Sequence, residues 1–269
     1  MRLAVLVLAF GCGCAGAEAM TMPQPPTAAA QQQNELGLNP GESMSFEVRL
    51  AGVLAGEAQL AVGQIGEVDG HRAVVVRSRA ATAGAAALFT KISDEATTTI
   101  DIETGRPLLL ETVVEQGDKR ITASATFTGT IAHVKYQRTG DKDSKTVALN
   151  FGTAQVHDAH TAMAQLRGWK GTKGQTRTVY VIGGRRLWRV DVTYAGEETI
   201  GSALGNRHAI VFSGKSYRAR NNLTLESATA ARTFKVWLSD DADRVPLKVT
   251  ATTELGDIVM DLLEYSRGG

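Results

Sequence analysis

From Gly41 onward the chain alternates apolar and polar residues with a period of two, the pattern of strands that bury one face. Met44, Phe46, Val48 and Leu50 alternate with Ser45, Glu47 and Arg49, and Ile121, Ala123, Ala125 and Phe127 with Thr122, Ser124 and Thr126. The same rhythm returns at Trp188, Val190, Val192 and Tyr194, and again at Val245, Leu247, Val249 and Ala251. Between the runs stand pairs suited to positive φ, such as Asp69-Gly70, Gln116-Gly117, Gly183-Gly184 and Gly256-Asp257, as tight hairpins require. This spacing predicts about fourteen strands joined mainly by hairpins, and so a largely antiparallel sheet.

One segment breaks the rhythm. Asp158 can cap a helix whose apolar face is Ala159, Ala162, Met163 and Leu166, and Gly168 can end it in the left-handed conformation. A shorter helical turn is predicted over residues 85–89. The longer helix separates a β half over residues 41–151 from another over residues 172–269, with no repeat strong enough to indicate duplication. The expected fold is mainly β: a large curved antiparallel sheet, an open β-barrel or a sandwich, with one short covering helix. Period alone does not separate these.

Ahead of the β-rich unit, Met1-Arg2 leads into an apolar run from Leu3 to Phe10 and then small residues, the three parts of a secretory signal over residues 1–19. The run is shorter than the roughly twenty apolar residues a spanning helix needs, so no transmembrane span is expected in the mature chain. Both cysteines, Cys12 and Cys14, fall inside this segment, so the β domain is expected to be stabilised by packing without disulfides. Leu8-Ala9-Phe10-Gly11-Cys12 also reads as a lipoprotein box in which Cys12 is acylated; cleavage near Ala17 or Ala19 is the alternative. Residues 20–40 are rich in Pro, Gln and Ala and are expected to be a linker, being too poor in apolar side chains to offset the entropy of ordering.

Three blocks carry a resemblance. Gly41-Glu42, Phe46-Glu47-Val48 and Gly52-Val53-Leu54-Ala55-Gly56 open the domain. His157-Asp158 through Leu166-Arg167, followed by Gly174, stands in the middle. Val236-Trp237-Leu238-Ser239-Asp240-Asp241, Arg244-Val245-Pro246-Leu247-Lys248 and Gly256-Asp257-Ile258 close it. Together they resemble the bacterial envelope family known as domain of unknown function 3108, over nearly the whole domain. The resemblance implies a signal-bearing, mostly β envelope protein, and it brings no catalytic residues with it.

Charge and chemistry narrow the reading further. Lys+Arg (29) and Asp+Glu (28) nearly cancel and are spread along the chain, which leaves no basic stripe for nucleic acid. His157 and His160 are the nearest approach to a metal motif, yet they lack a converging third and fourth ligand; Asp158 as a helix cap beside solvated histidines is the simpler reading. Asp240, Asp241 and Asp243 lack the glycine and distal glutamate of a calcium loop and read as a turn, with Arg244 pairing a carboxylate. There is no G-x-S-x-G elbow and no cysteine beyond the leader. The chain is therefore expected to be non-enzymatic and to need no cofactor or metal.

The candidate ligand-binding residues are Arg167, Trp169 and Trp237. Arg167 can pair with a strand carboxylate such as Asp191, lie over Trp169, or anchor an anion at the mouth of a cavity. Trp188 shares a face with Val190 and Val192 and is expected in the core, whereas Trp237 falls opposite Phe234, Val236 and Leu238 and is a candidate to line a second apolar surface. Two functions fit: a periplasmic binding module, soluble or anchored at the outer membrane through Cys12, that takes a lipid or other hydrophobic ligand; or an interaction protein of envelope assembly or polysaccharide export. A hydrolase is the third reading.

Overall fold

In the computed structural model, residues 36–84 and 86–268 are described; the signal segment, Cys12 and residues 20–35 of the proposed linker lie outside them. The first half of the chain forms β1 (Ser43–Leu50), β2 (Val53–Val62), β3 (Gly66–Val68), β4 (His71–Thr82), β5 (Ile92–Asp101), β6 (Pro107–Gln116), β7 (Lys119–Thr128), β8 (Ile131–Arg138) and β9 (Lys145–Asn150). A short helix, α1 (Ala86–Phe89), stands between β4 and β5 where the helical turn is predicted. Then come β10 (Val156–His157), the covering helix α2 (Ala159–Arg167), β11 (Thr176–Gly183), β12 (Arg186–Ser202), β13 (Gly205–Ala219), β14 (Arg232–Ser239), β15 (Pro246–Thr253) and β16 (Gly256–Ser266). The two strands beyond the expected fourteen are accounted for by β3 and β10, three and two residues long, too short to leave a period in the sequence.

All sixteen strands belong to one open sheet, in the order β10-β11-β12-β13-β14-β15-β16-β1-β2-β4-β5-β6-β7-β8-β9, with β3 paired to β4. Every pairing is antiparallel except that of β10 with β11. The two β halves are fused through the chain ends: β1 pairs with β16 from Ser43↔Ser266 to Leu50↔Ile258. The two edge strands, β9 and β10, are neighbours in sequence. The sheet curls until these flanks meet, because Val134 and Leu149 from one side share a buried cluster with Ile182, Leu187 and Ala219 from the other.

The predicted faces hold. Met44, Phe46, Ala123, Ala125, Val245, Leu247, Val249 and Ala251 are all buried. Burial begins ahead of the expected boundary at Gly41. Leu38 sits in the core, and the Asn39 N–H and side-chain amide donate to Glu42 at 3.2 Å each. Gly37, at φ +65, brings the chain so close to α2 that a Cβ would stand 2.1 Å from the Ala164 carbonyl oxygen, which only glycine permits. Leu36–Leu38 thus belong to the domain, and two leucines in a proline-rich context were too weak a periodic signal to reveal it.

Helix α2 starts as predicted. Asp158 accepts from the Thr161 N–H at 3.0 Å, and Thr161 Oγ1 accepts from the Asp158 N–H at 3.0 Å, a reciprocal capping box worth about 1 kcal/mol. Its end differs from expectation: Gly168 has φ −75, right-handed and not left-handed, and its N–H bonds back to the Ala164 carbonyl. The turn simply tightens, and the chain continues into Trp169, whose N–H reaches the Leu166 carbonyl at 3.2 Å.

Candidate functional site

The interior is not filled by one core. Buried side chains divide into a larger cluster around Phe46, Val76, Phe212 and Leu238 and a smaller one around Leu110, Val134 and Ile182. Between them lies a cavity of about 700 Å³, within the size range of small-molecule sites. Val192, Val236 and Val249 face it from the larger cluster, and Ala96, Leu110 and Ile182 from the smaller. Helix α2 supplies a further wall with Ala159, Ala162, Met163 and Leu166, the four residues of its predicted apolar face.

That placement inverts the usual logic of an amphipathic helix. The face of α2 packed into the protein carries His160, Thr161, Ala164 and Arg167. His160 and Asp158 are both buried, which corrects the expectation that the histidines beside the cap are solvated. A hydrogen-bonded chain makes this burial tolerable. Thr98 Oγ1 donates to Asp158; His160 Nδ1 lies 2.7 Å from Thr98 Oγ1, and His160 Nε2 lies 2.5 Å from Ser78 Oγ. A proton on Nδ1 satisfies the set, with the imidazole donating to Thr98 and accepting from Ser78. His157 is buried too, with neither ring nitrogen hydrogen-bonded to protein, and burial holds its pKa below the usual imidazole value despite the charge of Asp158.

Arg167 anchors the other end of the helix. Its Nη1 and Nη2 donate to Glu42 Oε1 and Oε2 at 2.5 and 2.9 Å, Nε donates to the Arg244 carbonyl at 3.1 Å, and Nη2 also reaches the Asp243 carbonyl at 2.7 Å. The partner is Glu42 and not Asp191, which instead pairs with Arg189 at 2.9 Å. With its guanidinium engaged by a carboxylate and two carbonyls, Arg167 is a structural clasp joining α2, the residue that leads into β1 and the β14–β15 turn, and it is absent from the cavity wall. The Tyr265 hydroxyl points at the same carboxylate from 3.4 Å; burial and the charges of Glu42 and Asp243 push its pKa up to about 12.

The three tryptophans redistribute. Trp169 lines the cavity, stacked on Phe212 at 5.2 Å between centroids, and the cation above its ring is Arg177 at 4.5 Å rather than Arg167. Trp237 does not reach the cavity. Phe234 and Val236 line it, while Trp237 packs with Lys235 over its ring and donates its indole N–H to Glu198. Trp188, expected in the core, is only partly buried and lines the cavity.

Arg218 and Arg232 lie over the Trp188 ring, at 5.7 and 5.6 Å from its centroid. With Arg177, Arg185 and Arg186 they make five arginines on the cavity lining. A polar recess of about 520 Å³ adjoins it and shares Arg185, Arg186 and Arg218, adding Arg220, Asn222 and Glu226. The absence of a basic stripe in sequence thus does not extend to space. β11, the β11–β12 turn, β12, β13 and β14 gather these arginines from residues up to about 55 positions apart, and linear charge counting could not find them.

Among the described residues, the ligand atoms of Glu197, His208 and Asp240 lie within 4.8 Å of one another on the exposed surface. His208 Nδ1 is 3.1 Å from Asp240, and the Tyr194 hydroxyl donates to Glu197 at 2.7 Å. The Asp240–Asp243 turn forms as predicted: Asp241 accepts from the N–H groups of Asp243 and Arg244, and Arg244 approaches Asp240 at 3.7 Å.

Residues 45–263 match the model of a family described as protein of unknown function (DUF3108). No curated protein matches the chain. Among solved structures, the β-barrel-like protein of domain of unknown function DUF1849 from Brucella abortus is similar with a TM-score of 0.59 at 11% identity, over 85% of this chain and 98% of that one. A protein with a YmcC-like fold from Bacteroides fragilis follows with a TM-score of 0.37 at 9% identity, over 84% and 96% of the two chains. The hypothetical lipoprotein YmcC from Escherichia coli gives 0.31 at 10% identity, over 88% and 90%. The first of these likenesses shows a shared fold.

Proposed function

The chain belongs to the DUF3108 family, and from that premise we propose that it is a non-enzymatic binding module of the cell envelope that holds a hydrophobic or lipid-like ligand inside its curled sheet. The observation that carries this reading is the cavity of about 700 Å³ left between two separate core clusters, with its largely aliphatic lining. Interiors normally close-pack, so an apolar void of this size is expected to have an occupant. The signal-like residues 1–19 support an exported address, and Cys12 supports a lipid anchor.

The test is a fluorescence titration of the full chain with N-phenyl-1-naphthylamine, a neutral apolar probe. Saturable binding is expected, and it should be lost when the cavity is filled from either wall by Ala162→Trp or Ala123→Phe. A folded wild-type protein that fails to take up the probe would end the binding-module reading. For the address, globomycin-sensitive processing abolished by Cys12→Ser is the expected result; uncleaved chain retained in the cytoplasm would overturn export.

A second reading, an interaction protein of envelope assembly or polysaccharide export, is favoured by one observation. Val53, Leu54 and Leu88 are exposed at 64%, 40% and 87%, at the β1–β2 hairpin and on α1. A Cβ at Gly84, just before α1, would stand 3.6 Å from Leu54, so the hairpin and the approach to α1 adjoin. In-cell crosslinking from Leu88 distinguishes the two: a reproducible protein partner without any extracted lipid would favour the interaction role.

A further inference from the structure

The arginines at the cavity lining identify the head of the ligand, given that the cavity holds one at all; the inference rests on the binding reading above. Five guanidiniums on the lining of a predominantly apolar cavity are hard to explain by packing. Arg177 lies over Trp169, and Arg218 shares Trp188 with Arg232, so aromatic rings account for part of their support. Arg185 lies 5.4 Å from the Tyr136 ring centre, with Arg138 at 5.9 Å from the same ring. These contacts fix the side chains without neutralising them.

The charges remain crowded. Burial, then the neighbouring cations Arg218 and Arg185, hold the Arg186 pKa below the usual guanidinium value, and only Glu226 opposes them appreciably. Among the described residues no ion pair joins Arg185, Arg186 or Arg218 to a carboxylate, in contrast to Arg167 with Glu42 and Arg189 with Asp191. Like charges, those of Arg186 and Arg218 partly buried, beside an apolar volume are relieved by an anion that arrives with the ligand. A planar guanidinium, weakly hydrated and able to grip two oxygens at once, is the side chain suited to a carboxylate or phosphate at such a boundary.

We propose that the occupant is an anionic amphiphile whose oxyanion head, a carboxylate or a phosphate, is held by Arg186 and Arg218 while its hydrocarbon chain lies in the cavity lined by Met163, Val190 and Val236. The polar recess that shares Arg186 and Arg218 gives the rest of the head room to extend away from the chain. A free anion would use the arginines alone, and a neutral lipid the cavity alone. The adjoining of the two points to a molecule that needs both.

The experiment is displacement of N-phenyl-1-naphthylamine from the full chain by dodecanoate, dodecyl phosphate, 1-dodecanoylglycerol, dodecyltrimethylammonium and inorganic phosphate, each below its micelle concentration. The two anionic amphiphiles are expected to bind at least tenfold more tightly than the neutral or cationic one, and inorganic phosphate is expected not to displace the probe. Decanoate should bind roughly 15-fold more weakly than dodecanoate, from about 0.8 kcal/mol for each of two methylenes. Arg186→Gln and Arg218→Gln should each weaken dodecyl phosphate about tenfold or more relative to 1-dodecanoylglycerol, as loss of a charged hydrogen-bond donor does, with an unchanged urea midpoint as the check on folding.

The outcomes separate. Failure of the wild type to bind the probe sinks the cavity reading and this inference with it. Probe binding with equal affinity for anionic, neutral and cationic chains, or with no effect of either arginine substitution, overturns the inference and leaves the cavity reading standing. Displacement by inorganic phosphate as effective as that by dodecyl phosphate also overturns it, assigning the arginines to a free anion. A stronger effect of dodecyl phosphate than of dodecanoate, or the reverse, identifies which oxyanion the site prefers.

Discussion

Asp94 is a carboxylate the fold would be more stable without. It lies on β5 between Ala80 of β4 and Val114 of β6, is 1% exposed, and neither of its oxygens has a hydrogen-bond partner. Burial, reinforced by the adjacent charge of Glu95, pushes its pKa from 3.8 to about 7. Below pH 3.8 the group is protonated in folded and unfolded chains alike and contributes nothing. As pH rises from there to about 7, the unfolded chain releases a proton that the folded chain retains, so stability falls; above about 7 both are ionised and the full penalty stands. About three pH units at 1.36 kcal/mol each make that penalty about 4 kcal/mol, a large share of the 5–15 kcal/mol typical of a domain. Urea unfolding of wild type and Asp94→Asn from pH 4.5 to 8.5 measures it. His157 acts in the opposite sense over part of this window: its depressed pKa means stability is gained as pH rises through the ordinary imidazole value. The wild-type curve alone therefore mixes two effects, and the difference between the two proteins isolates Asp94. That difference should grow by about 3 kcal/mol in favour of the asparagine variant between pH 4.5 and 8.5, about 1 kcal/mol of the penalty being already present at the lower end. Parallel curves would refute the reasoning, showing that Asp94 is hydrated or ionised inside the folded protein.

Two further substitutions probe the supports of the cavity. Arg167→Met leaves Glu42 buried and uncompensated and is expected to lose about 3–5 kcal/mol of stability, whereas the double replacement Glu42→Leu with Arg167→Met should recover most of it; urea midpoints compare the three. Gly214→Ala places a methyl 2.2 Å from the Phe234 ring, its cross-strand partner, so the ring must leave its position on the cavity wall. A loss of about 1–3 kcal/mol together with weaker binding of N-phenyl-1-naphthylamine is expected, and unchanged binding would show that Phe234 is not a wall.

What could be read along the chain was what local chemistry determines. Strand faces followed from the period of two, hairpins from their glycine pairs, and the start of α2 from Asp158, because each depends on neighbours a few residues away. The joining of β1 to β16 could not be read, since it pairs Ser43 with Ser266 and depends only on the sheet's closing curvature. The family resemblance, carried by the same hairpin and helix blocks, held for residues 45–263. The site was legible in part. Trp169 reached the cavity, but Arg167 and Trp237 did not. Arg167 found an acid 125 residues away, a distance at which sequence offers many equivalent carboxylates. Trp188 was assigned to the core on a sound alternation. That alternation distinguishes the inner face of a strand from the outer one; it does not say whether the inner face meets side chains or a void.

The orientation of α2 explains how a void can persist. A helix held to a sheet by its apolar face would bring Met163 and Leu166 down onto Val192 and Val236 and close the space between them. Here both ends are held by polar bonds: Asp158 and His160 to Thr98 and Ser78, and Arg167 to Glu42 and the carbonyls of Asp243 and Arg244. Such bonds contribute little net stability compared with apolar burial, yet they are directional, and leaving any of them unmade in a buried setting costs about 1–3 kcal/mol. Direction is what the helix needs. The polar face is tied down at defined points, Met163 and Leu166 pack only partly buried against the larger cluster, and with Ala159 and Ala162 they form one wall of the cavity. Fixing the helix by directed polar bonds in place of full apolar burial is the physical reason that the cavity stays open.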